Sequence, residues 1–321
     1  MRVESEGLRS FTRPEVVVSM CLGFGRVRWD GQECRCEYVE KFKPFMSFIP
    51  VCPELGIGLS VPRLPLRLLF QGERLKLVQP ATGLDLTQKM EGFAEAFLKT
   101  HLEVDGFILK SGSPSCGLKK VKVYTCAGAS KAAVRASGLF AALALQNLSR
   151  CAFTDEKDLA ISKRREHFLT KLYTLASFRR VEKSCSTEEL LKFHVENRLL
   201  ISVYSAKQLR LLSTLIDNAE EKPWRWLVKS YRTHLLSAFK RSPVEASNIE
   251  VMRKLYNRFA HRLSKDESSL VLSQMREYAS GGAPLSVCLC LLKDLAVRFD
   301  ENSLAQQSFL EPFPQDLMET A

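Results

Sequence analysis

The sequence predicts an α/β protein, in which an N-terminal open, mostly parallel sheet with flanking helices is followed by an all-α C-terminal domain. Two observations lead to this fold class. Before about residue 150, short β-branched apolar runs alternate with segments of helical periodicity, which is the pattern of a parallel sheet. After residue 150 the periodicity is helical and we find no convincing strand. Because 321 residues exceed the usual size of one hydrophobic core, two domains are expected.

Four short apolar runs predict the strands of the N-terminal part. They are Glu15–Ser19, Phe48–Val51, Arg74–Val78 and Gly106–Lys110. Helical periodicity between the strands predicts helices over Gln88–Leu102, with Thr87 as a natural N-cap, and over Ser130–Leu148.

The C-terminal part contains helix start and stop signals. Capping boxes begin at Ser186, Ser242 and Ser264, Gly281 ends a helix, and Pro284 begins the next. We therefore divide the chain into an N-terminal tail (1–14), an α/β domain (15–150), a helical connector (151–183) and a helical domain (184–321).

The charge and composition of the chain indicate its binding partners and its compartment. The net charge of +11 is spread along the chain, with +7 over residues 1–150 and +4 over the remainder. Positive charge spread in this way favours binding of polyanions such as RNA, and it is equally compatible with a merely basic soluble protein. The first residues carry acids and no apolar run, and no stretch approaches the roughly 18 apolar residues that a membrane span needs. We expect a cytoplasmic protein that does not associate with membranes, whose ten cysteines are thiols or metal ligands.

Three cysteines share one position in this pattern. Cys21, Cys52 and Cys116 each lie at or just beyond the C-terminal end of a predicted strand. These ends border the crevice where open parallel sheets bind ligands, so the three thiols are expected to meet. Three thiolates suit a soft metal and leave one coordination position open, either on zinc or on one iron of a [4Fe–4S] cluster. The alternative is that each is a buried thiol packed as a small hydrophobe, which is the better interpretation for Cys288 and Cys290 in an apolar helix.

Acids and hydroxyls flank the three cysteines. Glu54 follows Cys52 by two residues, Asp30 lies in the segment VRWDG, and Ser111 and Ser113 precede Cys116. A carboxylate can activate water and a hydroxyl can orient or protonate a leaving group, so these four residues are candidate catalytic groups. Asp30-Gly31 and Ser113-Pro114 are equally typical of turns.

These segments together resemble the TudS family of thiouracil desulfidases. The matching stretches are SMCLG at 19–23, VRWDG at 27–31, PVCPE at 50–54, GLSVPR at 58–63, DLT at 85–87 and LKSGSPSCG at 109–117. The C-terminal part resembles a YbgA-type helical domain in Phe193-His194, in GAPLSVCLCLL at 282–292 and in QSFLEPFPQDL at 307–317. It departs from that pattern at Cys288, where Pro is usual, and at Asp294, where His is usual.

The resemblance implies a function. Cys21, Cys52 and Cys116 would hold a [4Fe–4S] cluster with one open iron, and the acid and serine roles would fall on Glu54 and on Ser113 or Ser111. The order of the two domains resembles the RudS type of desulfidase, which implies conversion of 4-thiouridine in tRNA to uridine with release of hydrogen sulfide. Two alternatives stay open: a desulfidase of free 2-thiouracil or thiolated nucleosides, and a non-catalytic, metal-containing RNA-binding protein.

Overall fold

The computed structural model describes residues 9–71, 74–129 and 131–318. The chain forms two compact units. The α/β unit spans Arg13–Phe168, and the helical unit runs from Leu169 onward and includes residues 9–12. No helix in the described ranges is long and apolar enough to cross a membrane.

The α/β unit contains a four-stranded, fully parallel sheet, sheet A. Its strands are β1 (Glu15–Ser19), β2 (Ser47–Val51), β6 (Gly106–Leu109) and β9 (Ala152–Asp155), in the spatial order β2-β1-β6-β9. Val18 in the central strand is in register with Pro50 of β2 and Ile108 of β6. The predicted parallel sheet is therefore confirmed, and three of its four strands coincide with predicted ones.

A second, five-stranded sheet, sheet B, was not expected. Its strands are β3 (Arg67–Gln71), β4 (Arg74–Gln79), β5 (Leu84–Asp85), β7 (Val121–Tyr124) and β8 (Val134–Ala136), in the order β5-β4-β3-β7-β8. The predicted strand over Arg74–Val78 is β4, and it pairs antiparallel with β3 instead of entering sheet A. Burial alternates along β7, as in a strand with one face towards the surface, so β7 lacks the continuous apolar run that predicts a buried strand.

The helices of the α/β unit lie between the strands. They are α1 (Glu37–Phe42), α2 (Pro53–Gly56), α3 (Thr87–Thr100), α4 (Leu139–Asn147) and α5 (Glu156–Leu159), and α6 (Ser162–Ser184) runs from this unit into the helical unit. The helix predicted over Ser130–Leu148 begins only at Leu139, because Val134–Ala136 pairs as β8 and Gly138 interrupts the periodicity. Side chains from both sheets, α3 and α4 form one apolar core.

The expectation of no strand after residue 150 was wrong. The run AFTD at 152–155 pairs with β6 as an edge strand of sheet A. It is four residues long and half polar, so it carries little of the apolar signal that marks a buried strand. Residues 151–168, predicted as part of a connector, therefore belong to the α/β unit.

The helical unit consists of helices that pack around an apolar core. They are α7 (Thr187–Asp217), α8 (Trp224–Ala238), α9 (Glu245–Phe259), α10 (Lys265–Ser280), α11 (Leu285–Arg298) and α12 (Asn302–Ala305). The predicted capping box at Ser264 is present, and Gly281 ends the same helix in a left-handed conformation (φ 79°). Ser186 caps α7, whereas Val244 rather than Ser242 precedes α9. The all-α C-terminal part is confirmed.

Candidate functional site

Three neighbouring strand ends of sheet A carry the three predicted cysteines. Cys21 follows β1 by two residues, Cys52 follows β2 directly, and Cys116 lies in the loop after β6. Because β1 lies between β2 and β6, these ends share one edge of the sheet. All three cysteines line one cavity of about 340 Å³. The fold thus brings together three residues that are far apart in sequence.

Local backbone contacts fix the Cys21 and Cys52 loops. The Met20 N–H donates to the Val51 carbonyl (2.8 Å), which ties the two loops together where the strands end. The Cys34 N–H donates to the Cys21 carbonyl (2.8 Å). Cys52 occupies the N-cap position of α2, and Pro53 supplies the fixed φ that favours a helix start. Cys34 and Cys36 precede α1, with Cys36 at its N-cap.

The Cys116 loop is a compact turn built on Ser113. The Ser113 Oγ accepts from the backbone N–H groups of Ser115 (3.2 Å) and Cys116 (3.0 Å). Two glycines permit close approach around it: a Cβ on Gly117 would lie 2.8 Å from the Ser113 carbonyl oxygen, and one on Gly138 only 2.5 Å from the Ser115 carbonyl. Larger residues at these two positions would displace the loop that presents Cys116.

Burial dominates the electrostatics of the thiols. It raises the pKa of Cys21 to about 12 and that of Cys52 to about 11, and it raises the pKa of Cys116 well above its ordinary value. The nearby Glu54 carboxylate adds to the rise in pKa at each of the three, while the Lys110 ammonium opposes it at Cys21. The free thiols are therefore protonated at neutral pH, and a bound metal has to replace their protons.

The chemistry of the donor set, three thiols at one cavity, is that of the cysteine ligands of iron–sulfur clusters. No group of three or more His, Cys, Asp or Glu side chains within the described residues is arranged to hold a single metal ion. The three thiols line one cavity. An iron–sulfur cluster accepts such an arrangement because each cysteine binds a different iron. Cys21, Cys52 and Cys116 would hold the cluster.

Glu54 is a buried carboxylate in the first turn of α2 and lines the same cavity. Its Oε2 accepts from the Cys52 Sγ–H (3.5 Å) and lies 4.0 Å from the Arg63 guanidinium. Arg63 is itself held by hydrogen bonds to the carbonyls of Val27 (3.0 Å) and Ser60 (3.5 Å). A charged partner of fixed position compensates for burial of the carboxylate beside the thiols.

The two candidate serines differ in their hydrogen bonds. The Ser111 hydroxyl donates to Glu156 Oε1 (2.5 Å), and the Ser111 N–H donates to Glu156 Oε2 (2.8 Å). The hydroxyl proton of Ser111 is thus committed to Glu156. Ser113 uses its oxygen as an acceptor for the turn, which leaves its hydroxyl proton for a molecule in the cavity. The geometry favours Ser113 as the serine that contacts substrate.

Asp30 does not line the cavity, although its neighbours Arg28 and Trp29 do. Its carboxylate accepts from the Gln32 N–H (3.1 Å) and pairs with Arg28 (3.4 Å), so it stabilises the turn at 28–32. The catalytic role of Asp30 stays a prediction. Its observed role in the structure is to stabilise this turn.

Several residues at the cavity were not recognised in the sequence. Lys110 and Arg63 line it, and Glu156 anchors Lys110 (2.5 Å) and Ser111 from outside the lining. Burial alone would raise the pKa of Glu156, but hydrogen bonds from Lys110 and Ser111 outweigh it and lower that pKa. Lys110 and Arg63 lie inside the matched segments LKSGSPSCG and GLSVPR. Glu156 follows the unrecognised strand β9, so nothing in the sequence pointed to it.

The fold and the site define a class: an α/β unit whose parallel strand ends direct three thiols, a carboxylate and a hydroxyl into one cavity. Residues 16–156 match the family described as 2-thiouracil desulfurase, and residues 198–314 match a family described as a protein of unknown function, DUF1722. The uncharacterized protein YbbK of Bacillus subtilis (strain 168) is 34% identical over 140 residues, which are 41% of this chain and 89% of YbbK. Through its α/β unit, the chain belongs to the 2-thiouracil desulfurase family.

One solved structure also resembles the chain. It is titled a [4Fe-4S]-dependent thiouracil desulfidase, TudS, and is 29% identical in sequence. The match covers 46% of this chain and 94% of the TudS chain, with a TM-score of 0.36.

We predict that Cys21→Ala, Cys52→Ala and Cys116→Ala each abolish binding of an iron–sulfur cluster, because each removes one of the three thiols that surround the cavity. Iron and acid-labile sulfide measured on anaerobically purified protein test this. Cys288→Ala, which changes a buried thiol in the helical unit, is the control and should keep the full content. Normal iron and sulfide in Cys116→Ala would remove that residue from the ligand set.

We predict that replacing Glu54 lowers kcat strongly, and that replacing Ser113 lowers kcat more than replacing Ser111. Glu54→Gln should keep the cluster and lower kcat by about 10²–10⁴-fold, the usual contribution of a positioned acid or base. Ser113→Ala should lower kcat more than Ser111→Ala, because only the Ser113 proton is available to the cavity. The measurement is kcat for a thiolated uridine, normalised to cluster content, in each of the three variants. An equal kcat for the two serine variants would contradict the assignment.

Proposed function

We propose that this protein is a [4Fe–4S]-dependent desulfidase that converts 4-thiouridine in tRNA to uridine and releases hydrogen sulfide. The observation that carries the proposal is the meeting of Cys21, Cys52 and Cys116 with Glu54 and Ser113 at one cavity, in a chain of the 2-thiouracil desulfurase family. When bound, the cluster supplies an iron with an open position, a Lewis acid for the soft thiocarbonyl sulfur.

The residues of the chain account for the proton transfers. The reaction replaces a C=S bond by a C=O bond, with water supplying the oxygen and both protons ending on sulfur, so no external electron donor is needed. In this proposal the Glu54 carboxylate, which lines the cavity, orients the water and accepts its proton as the oxygen attacks the ring carbon. The Ser113 hydroxyl donates a hydrogen bond to the ring or to the departing sulfur. Arg63 keeps Glu54 in place throughout.

Positive charge supports a nucleotide substrate. Each of the three cations that line the cavity has an acid partner, namely Asp30 for Arg28, Glu54 for Arg63 and Glu156 for Lys110. The excess of positive charge therefore belongs to the chain as a whole, which carries a net charge of +11. Phosphate groups are attracted to such a field, and a free base has none to offer. This charge favours a polynucleotide over free 2-thiouracil.

A second candidate function is desulfuration of free 2-thiouracil, which the description of the matching family favours. One comparison of substrates separates the two candidates. Anaerobic protein is supplied with thiolated tRNA, 4-thiouridine and 2-thiouracil, and the released sulfide and the uracil-ring product are measured. The tRNA proposal expects the highest kcat/KM on tRNA. A preference for 2-thiouracil would establish the second function instead.

We predict that activity on tRNA falls with salt much more steeply than activity on the nucleoside. Each neutralised phosphate contributes a slope of roughly −0.7 to −0.9 in log affinity against log salt, so a few contacts give a loss of roughly tenfold or more for about a fourfold rise in salt. The 4-thiouridine nucleoside has no phosphate and serves as the control on the same protein. Equal salt dependence on both substrates would contradict recognition of the tRNA backbone.

A further inference from the structure

Trp29 combines two properties that a purely structural aromatic residue lacks. It lines the same cavity as the three thiols, and yet it is 49% exposed. Among the described residues no ring stacks on Trp29 and no cation lies over it, in contrast to Trp226, whose ring lies under Lys222 at 6.0 Å. A large exposed aromatic surface at a cavity mouth is a site where an apolar or planar ligand gains by displacing water.

The backbone holds Trp29 in a fixed position. The Gly31 N–H donates to the Arg28 carbonyl (2.9 Å), and the Arg28 N–H donates to the Gln32 carbonyl (3.3 Å), which closes the turn. The Trp29 carbonyl accepts from the Arg63 N–H (2.8 Å), and Arg63 also contacts Glu54. Trp29 is therefore tied to the residue that fixes the carboxylate. A platform carried on a fixed backbone requires less ordering when a ligand binds than one carried on an unanchored loop.

Arg28 provides the adjoining charge. It lines the cavity, its side chain is 32% exposed, and it pairs with Asp30 at 3.4 Å. An ion pair this exposed contributes little to stability, so an incoming phosphate can compete for the guanidinium. A planar apolar surface with a cation beside it matches the two ends of a nucleotide, the base and its phosphate.

We propose that Trp29 is the stacking platform for the pyrimidine ring of the substrate and that Arg28 binds its phosphate. The two residues would thus divide recognition of the thiolated nucleotide between its base and its phosphate. This inference rests on the proposed desulfidase function and adds the residues that determine its specificity. In RNA, the thiolated base has to leave its stack to reach Trp29.

Steady-state kinetics on the anaerobic holoprotein test the platform, with 4-thiouridine as the probe. Stacking of a base on an aromatic residue is worth a factor of roughly five to 150 in affinity. Trp29→Leu should raise KM by a factor in this range with little change in kcat or cluster content, and Trp29→Phe should restore most of the affinity. Trp226→Ala, equally exposed at 49% but in the helical unit, is the matched control and should leave KM unchanged.

A separate experiment tests the contact between Arg28 and the phosphate. Arg28→Gln should raise KM for 4-thiouridine 5′-monophosphate about tenfold, as expected for loss of one charge-assisted contact, and leave KM for the nucleoside unchanged. Arg26→Gln changes an exposed arginine outside the cavity lining and is the control. Repeating the comparison on thiolated tRNA distinguishes a free nucleotide from an RNA residue as the source of the phosphate. Equal KM values for Trp29→Leu, Trp29→Phe and the unaltered protein would overturn the proposal.

A binding measurement separates failure of this inference from failure of the proposed function. The thiocarbonyl chromophore absorbs where indole emits, so bound 4-thiouridine 5′-monophosphate should quench the fluorescence of Trp29, one of three tryptophans. Quenching that disappears in Trp29→Phe, in a protein without desulfidase activity, would support the platform and refute the function. Desulfidase activity with identical quenching in the unaltered protein and in Trp29→Phe would refute the platform alone.

Discussion

The parallel pairing of β1 with β2 on one side and β6 on the other is the constraint on which the site depends. Because Ser19 is in register with Val51, and Val18 with Ile108, the loops that carry Cys21, Cys52 and Cys116 begin at the same edge of sheet A. A shift of one residue in either pairing would turn every side chain of that strand to the other face. The cavity is thus a consequence of strand register and of burial of the strands in the apolar core.

Charge placement makes this edge chemically useful. Burial and Glu54 both raise the pKa of the thiols, which on its own disfavours three thiolates in one cavity. Arg63 and Lys110 supply compensating positive charge, and Glu156 holds Lys110 beside the site. The carboxylate, the hydroxyl of Ser113 and the thiols are each positioned by a separate element. The helical unit has its own core, and the α/β unit alone supplies all of these groups.

The sequence contained most of the information about sheet A and the thiols, because its strands are apolar runs and the three cysteines lie in the segments that follow them. It contained less about sheet B, whose short strands are half exposed, and about β9, whose four residues look like a loop. Glu156 was missed for that reason. Asp30 and Trp29 show another limit: both belong to the segment VRWDG, but only the folded turn shows that Trp29 lines the cavity and Asp30 does not. The sequence likewise did not show which serine keeps an available hydroxyl proton, because the Ser111 hydroxyl donates to Glu156, 45 residues further along the chain.

In the cluster proposed for Cys21, Cys52 and Cys116, three irons have a cysteine ligand and the fourth lacks a protein ligand. Mössbauer spectroscopy of anaerobic protein reconstituted with ⁵⁷Fe tests this arrangement most directly, because this method resolves irons with different ligands. The expected spectrum is that of a four-iron cluster with one iron distinguishable from the other three, and with a change confined to that iron when 4-thiouridine is added. Four irons that all stay unchanged on adding the thiolated nucleoside, or a single mononuclear site, would contradict this arrangement.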